Sequence, residues 1–317
     1  MPRKLILDVD TGTDDAVALM TAALHPDLEL IAATTVNGNV PVEYCTENSL
    51  RVFDHIGVPI PVYEGMTRPM VRDDFPVPRG VGRSDVHGGY LDIPPSRSKK
   101  QDGHAVDFLI ETFMASDGDI VLVPVGPMTN VAMALVREPR LRDAIPELMI
   151  MGGGHEVGNV TPSAEFNVWA DPEAARVVLG SGIRTITLVP LDATHRALVS
   201  TEDCVRLRAL GTPAGEAAAT FTERRIRGYD AEQPMHRLGA APVHDALCVA
   251  ALVDRSVIST VRCHVDVETS GELTLGRTVV DTHRRSGREP NADVALDADE
   301  PMFVQFLLVT LGRRVGD

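Results

Sequence analysis

The sequence predicts an α/β fold: an open, mainly parallel central sheet flanked by helices, with a late helical segment and a small antiparallel addition. Three observations carry this. Short apolar runs rich in β-branched residues recur, amphipathic stretches of helical length separate them, and acids and prolines that suit helix starts fall at the joins. In chain order, strands are expected at 4–8, 28–36, 119–125, 147–151 and 184–190. Helices are expected between them at 14–25, 42–55, 104–115, 128–136 and 171–179. Asp14 and Asp15 suit a first helical turn, His25-Pro26 ends that helix, and Pro41 sits where a first helical residue tolerates proline. Residues 201–227 read as helical, 245–253 as a further helix, and 261–281 as a pair of antiparallel strands. Segments 66–100 and 228–242 read as loops, of a length that in compact proteins is usually functional or disordered. With no Gly/Ser linker, repeat or low-complexity tract, residues 1–317 are expected to form a single domain.

Composition narrows the function classes. At 317 residues and 44% hydrophobic content the chain can bury a sizeable core. Lys plus Arg total 30 against 45 Asp plus Glu, and the formal charge of -15 argues against a nucleic-acid partner. Aromatic residues, at 4%, are too few for base-stacking platforms, so a small neutral or cationic ligand fits better. No apolar run approaches the roughly 18 residues of a membrane span. The N-terminus turns polar too soon for a signal-peptide core, so the expectation is a cytoplasmic protein without a membrane partner. Cys45, Cys204, Cys248 and Cys263 form no CxxC pair and are expected as buried free thiols.

The stretch "LILDVDTGTDDAVALM" places Asp8, Asp10, Asp14 and Asp15 between the first strand and the first helix. Residues two apart in a strand share a side, so Asp8 and Asp10 project together, and the "TGT" turn brings Asp14 and Asp15 back over them. This is the ligand-binding edge of an open parallel sheet. Two carboxylates about 4 Å apart repel by roughly 4 kcal/mol at an effective dielectric near 20. A helix N-terminus offsets about 1 kcal/mol of that. No lysine or arginine lies between Lys4 and Arg51, so either some carboxyls are protonated or a cation sits among them. All-oxygen ligands select a hard ion, Ca²⁺ or Mg²⁺, over zinc. A DxD after a first strand also opens phosphotransferases of the haloacid dehalogenase type. Their motif has Thr or Val four residues after the first Asp, where this chain has Gly12, and it lacks the Asp14-Asp15 pair.

Other polar groups fall at the same edge. "VNGNV" puts Asn37 and Asn39 after the second strand, and "LVPVGPMTN" is a strand, a turn and a helix start whose carbonyl at Val125 can serve a cation. "MGGGHEVGNVTPSAEFNVWADPEAA" supplies Asn159, Glu165 and Asn167, acceptors and donors suited to sugar hydroxyls, and then Asp171-Pro172, read as a helix cap. "PVHDALCVAALVD" sets His244 and Asp245 at a helix start, where Asp245 can be a further carboxylate for the metal. His87 in "DVHGGY" and His195 in "LDATHR" lie in loops.

Assembled, these motifs resemble the inosine-uridine preferring nucleoside hydrolases, calcium-dependent N-ribohydrolases, over essentially the whole chain. The DxDxGxDD signature is matched by Asp8, Asp10, Gly12, Asp14 and Asp15. It is followed by Gly38-Asn39, the "LVPxGPxTN" turn, "GNVTPxAEFN" and the "HDA" at His244, with a late "NADVALDAD" also similar. The resemblance implies the nucleoside hydrolase fold, with Asp10, Asp15, Asp245 and the Val125 carbonyl as Ca²⁺ ligands. It implies Asp14, Asn159, Glu165 and Asn167 as the ribose holders, Met151 and Asn39 as pocket positions, and homodimers or homotetramers. Val125 stands where Thr is usual, "HGGYLD" is an atypical loop motif, and Trp169 replaces a Phe or aliphatic residue.

The expected reaction is hydrolysis of the N-glycosidic bond of a ribonucleoside through an oxocarbenium-like transition state, with calcium activating the water and Asp10 as general base. His244 is the candidate leaving-group acid, His87 and Tyr229 are candidate base contacts, and Asp8 is expected to orient its neighbours. Two alternatives stand beside it: a hydrolase of another N-riboside, such as a modified nucleoside or nicotinamide riboside, and a non-catalytic nucleoside-binding protein.

Overall fold

The computed structural model describes residues 1–73 and 86–314. Its sheet is built from β1 (Arg3–Val9), β2 (Leu28–Thr35), β3 (Val62–Glu64), β4 (Ile120–Pro124), β5 (Glu147–Met151) and β6 (Ile186–Val189). Two further strands, β7 (Leu198–Ser200) and β8 (Ala240–Pro242), form a separate antiparallel pair. The main sheet is completed by β9 (Ile258–Val267), β10 (Thr278–Asp281) and β11 (Ala292–Ala298), in the order β10-β9-β11-β6-β5-β4-β1-β2-β3. Pairing is parallel from β3 through to β11, and antiparallel only where β9 joins β11 and β10 joins β9.

The α/β expectation therefore holds, with the antiparallel addition at one edge. All five expected strands form. Four were not anticipated: β3, β7 and β8, each of three residues and too short to show a period, and β11, which enters the sheet parallel to β6.

Helices fill the connections: α1 (Thr13–Leu24), α2 (Val42–Ile56), α3 (Ala105–Ala115), α4 (Thr129–Arg137), α5 (Leu141–Ala144), α6 (Phe166–Ala170), α7 (Pro172–Leu179) and α8 (Leu191–Thr194). The later ones are α9 (Thr201–Ala209), α10 (Pro213–Glu232), α11 (His244–Val253) and α12 (Glu300–Leu311). The helical run expected at 201–227 breaks into α9 and α10. Gly211 takes φ +66°, Pro213 opens the next helix, and Thr212 caps it by accepting from the Gly215 N–H at 3.0 Å. Helix α10 then continues to Glu232, into the segment read as a loop, and β8 takes three more of those residues. Gly228 reads as a breaker, but burial of Tyr229 holds the turn. Residues 74–85 of the first loop region lie outside the described residues.

Each face of the sheet carries its own apolar layer, as alternation in β1 requires: Leu5, Leu7 and Val9 pack to one side and Ile6 to the other. Among the described residues no helix is long and apolar enough to cross a membrane.

Asp171 ties two loops to this frame. It caps α7 by accepting from Ala174 N–H at 3.0 Å, and also accepts from Thr129 Oγ1 and Met70 N–H, both at 2.7 Å. Asp171→Ala leaves three buried donors unsatisfied and is expected to cost about 2 kcal/mol. The urea unfolding midpoint measures it, and an unshifted midpoint refutes the capping account.

Candidate active site

The chain leaves β1, builds β2 and β3 on one side, and then crosses to β4 on the other, which makes the β1/β4 gap the switch point of the sheet. A crevice must open outside the carboxyl ends of the strands there. Into it run the last residues of β1 and the start of α1, which carry the four aspartates.

Asp8 is fully buried and works as an anchor. Its Oδ1 accepts from Thr34 Oγ1 at 2.5 Å and Asn130 Nδ2 at 2.8 Å, and its carbonyl receives Val125 N–H at 2.8 Å. Asn130 also bonds Thr35 O and Met66 N–H, so one carboxamide joins the turn after β4 to the end of β2. Burial raises the Asp8 carboxyl to about 7, and its Oδ2 has no hydrogen-bond partner.

Asp10 sits in a slot made by two glycines. A Cβ on Gly38 would lie 2.0 Å from its Oδ2, and one on Gly126 would lie 2.8 Å from its Oδ1. Any larger residue at either position displaces the carboxylate. Asp10 Oδ2 accepts Asn39 N–H at 2.6 Å, and Asp15 accepts from Asp10 N–H at 3.0 Å, Gly12 N–H at 2.9 Å and Asn39 Nδ2 at 3.3 Å. Burial, and then the neighbouring Asp15, push Asp10 well above the carboxylate range, while burial and Asp14 raise Asp15 to about 6.

Carboxylate oxygens of Asp14, Asp15 and Asp245 lie within 4.8 Å of one another. Burial and the charges of Asp14, Asp15 and Asp10 push Asp245 well above its ordinary value. The grouping differs from the expected ligand set in including Asp14 and leaving out Asp10. A hard divalent cation suits the site: the donors are all oxygen, they are buried and mutually repelling, and Asp14 Oδ1 receives no directed hydrogen bond.

The remaining expected residues are gathered by α6 and its approach. Glu165 caps α6, its carboxylate accepting Asn167 N–H at 2.9 Å, Val168 N–H at 3.2 Å and Gly153 N–H at 2.8 Å, and burial raises it to about 7. Asn167 Nδ2 donates to the Val125 carbonyl at 2.7 Å and the Met151 carbonyl at 3.3 Å. That leaves Val125 O a second lone pair. Asn159 Oδ1 accepts Phe166 N–H at 2.9 Å, so its amide donors are spare for a ligand.

His244, at the first turn of α11, is held from both sides, Nε2 2.7 Å from Tyr229 Oη and Nδ1 2.7 Å from Thr194 Oγ1. Burial, with Arg225, His195 and His87 nearby, lowers it well below the usual histidine value, and burial raises Tyr229 to about 12. His87 stands 3.7 Å from Asp14 Oδ1, over Gly12, where any Cβ would strike its ring.

These groups meet in a cavity of about 840 Å³. Asp14, Asn39, His87, Val125, Met151, Asn159, Glu165, Asn167, Tyr229, His244 and Asp245 line it, while Asp8, Asp10 and Asp15 are absent from its lining. A chain-length comparison then decides the family, because the model describing inosine-uridine preferring nucleoside hydrolases matches residues 5–305. The chain belongs to that family. It is accordingly a ribonucleoside hydrolase, an enzyme acting on N-glycosyl bonds, in a metal-dependent family.

This nucleoside hydrolase is 37% identical over 301 residues to a pyrimidine-specific ribonucleoside hydrolase, RihB, of Escherichia coli, covering 95% of this chain and 94% of that protein. It superposes on a purine-preferring ribonucleoside hydrolase from Gardnerella vaginalis with TM-score 0.89, at 35% identity over 98% of both chains. An inosine-guanosine nucleoside hydrolase superposes with TM-score 0.84 at 28% identity, over 98% of this chain and 99% of its own.

Sequence reasoning missed Arg225. Along the chain no lysine or arginine lies between Lys4 and Arg51, and the hydrolase brings one from α10, its Nη1 2.8 Å from Asp14 Oδ1. The signal in the sequence is the spacing: Arg225 and Tyr229 are four apart on one helix, hence on one face, and Tyr229 is a candidate base contact.

Asp8, Asp15 and Glu165 titrate higher in the folded protein than unfolded, so the native state binds more protons. Stability contributed this way is full below the ordinary carboxylate value and lost as pH rises through about 6 to 7. Chelator-treated protein is therefore expected to show a urea midpoint that falls from about pH 5 to pH 8. A midpoint rising over that window contradicts the burial of these acids.

Proposed function

We propose that the enzyme cleaves the bond between ribose C1′ and a nucleobase nitrogen with Asp10 as general base at a Ca²⁺ site formed by Asp10, Asp15, Asp245 and the Val125 carbonyl. The supporting observation is that buried, hydrogen-bonded aspartates at the end of a rigid strand adjoin a cavity lined by sugar-binding amides and a histidine. Bound calcium would orient and acidify the attacking water. Asp10, its carboxylate confined by Gly38 and Gly126 and fixed by Asn39 N–H, would be the base that accepts the water's proton. Asp14, Asn159, Glu165 and Asn167 hold the ribose hydroxyls, and Met151 and Asn39 shape the floor beneath them. Asp8 keeps the β1 end rigid through Thr34 and Asn130.

His244 is the proposed proton donor to the leaving base. Burial and the nearby Arg225 keep the resting ring neutral, so the proton it passes to the base would be a ring N–H proton, and Tyr229 Oη on Nε2 is the partner through which it can be replaced. Tyr229 and His87 flank the base, with Phe166 and Trp169, 6.4 Å apart, as apolar lining. The cavity volume admits purines as well as pyrimidines. We take the working enzyme to be a single-domain homodimer or homotetramer in the cytoplasm, and for the compartment the support is that its four buried cysteines form no disulfide.

Asp10→Asn is expected to fold and bind nucleoside but to lose about 10²- to 10⁴-fold in kcat; near-native turnover refutes the base assignment. Exhaustive chelation should abolish release of free base and calcium should restore it. Full turnover by verified metal-free protein rejects the cation site. His244→Ala should slow ribonucleosides by about 10²-fold or more while sparing 4-nitrophenyl riboside, whose leaving group needs no proton. Equal losses on both substrates eliminate His244 as the acid. Binding without base release across a ribonucleoside panel would instead favour a non-catalytic nucleoside receptor.

A further inference from the structure

Arg225, 1% exposed, carries into the interior a charge that no pH near neutrality removes. Its Nε donates to the Pro242 carbonyl at 2.8 Å, two residues before His244, and its Nη1 donates to Thr13 Oγ1 at 3.2 Å. The same Nη1 lies 2.8 Å from Asp14 Oδ1. That last contact is one of charge: the oxygen receives no directed hydrogen bond and keeps its lone pairs for a ligand.

Asp14 stands at a fork. Its carboxylate is close enough to Asp15 and Asp245 to join them around one cation, and it also lines the cavity, where it can accept from a sugar hydroxyl. We propose that Arg225 is the positioning residue that resolves this fork: its guanidinium holds Asp14 for the substrate and out of the cation's ligand shell. The inference rests on the reading of the site as a calcium and ribose site.

The physical reason is that an opposite charge at contact distance in a poorly screened interior is strong enough to select among carboxylate rotamers. Two anchors independent of Asp14, the Pro242 carbonyl and Thr13 Oγ1, fix the buried guanidinium, so Asp14 adjusts to it and not the reverse. The same fixed positive charge opposes a second cation nearby. Removing it should therefore move the two ligands in opposite directions, tightening calcium and weakening ribonucleoside. A residue that merely supports the fold would loosen both.

The test is calcium titration calorimetry on chelator-treated wild type, Arg225→Met and Arg225→Lys, with kcat and KM for a ribonucleoside measured on the calcium-loaded proteins. Arg225→Met is expected to bind calcium about 3- to 10-fold more tightly and to lose about 10- to 100-fold in kcat/KM, chiefly through KM. Arg225→Lys, which keeps the charge, should hold calcium affinity within about 2-fold of wild type. Asp14→Asn added to Arg225→Met should remove the gain in calcium affinity, and the kcat/KM losses of the two substitutions should be non-additive. Calcium affinity unchanged or weaker in folded Arg225→Met overturns the proposal, as do additive losses. If Arg225→Met fails to fold, the Arg225→Gln and Asp14→Asn cycle, which also removes the charge, decides: additivity in kcat/KM overturns it and non-additivity supports it. Wild type that binds no calcium overturns the site reading and the proposal together, whereas wild type that binds it with Arg225→Met no tighter overturns the proposal alone.

Discussion

Mutual repulsion among buried carboxylates is the constraint around which this end of the molecule is organised. Asp8, Asp10, Asp14, Asp15, Glu165 and Asp245 are all nearly inaccessible to solvent, and a buried guanidinium, that of Arg225, contacts one of them, Asp14. Isolated buried charges are costly unless hydrogen-bonded, paired or neutralised. The structure uses every one of these: backbone N–H groups of Gly12, Asn39, Gly153, Asn167 and Val168, the side chains of Thr34 and Asn130, and the Arg225 guanidinium. Burial still raises most of these acids, and this residual imbalance is what makes a divalent cation a fitting occupant.

The acids stay where they are because the backbone around them is narrow and rigid. Gly38 and Gly126 close on Asp10 from two loops, and Gly12 admits the His87 ring beside Asp14. The supporting elements are far apart in sequence yet adjoin at the switch point: the end of β1, the turn after β4, the start of α6, the middle of α10 and the first turn of α11. Sites of this kind sacrifice local stability for a placed charge, and the large apolar layers on both faces of the sheet supply the compensation.

Relatives of nearly equal similarity differ in base preference, one pyrimidine-specific and one purine-preferring. The division makes physical sense. In the proposed site, ribose and cation recognition would use groups fixed to the sheet and helix starts, whereas Phe166, Trp169, Glu232, Gln233 and the segment around His87, on α6, the end of α10 and a loop, line the rest of the cavity. Side chains at such positions can change without disturbing the carboxylate cluster.

Much was legible locally. The strand and helix periods of residues 4–56 and 104–190, the cap at Asp171 and the acids after β1 are written in short-range pattern, because strand alternation, helix caps and turn chemistry act over a few residues. Less legible were β3 and β11, too short or too late to show a period, and α10, which runs through Gly228 because Tyr229 is buried. Sequence by itself determined the fold class, the location of the acids and the amides that gather beside them. Only the tertiary structure decided which cation meets Asp14, which glycines confine Asp10 and which tyrosine holds His244. Those contacts join residues from 15 to 211 positions apart, and electrostatic and packing energies depend on distance in space, which the order of residues along a chain does not encode.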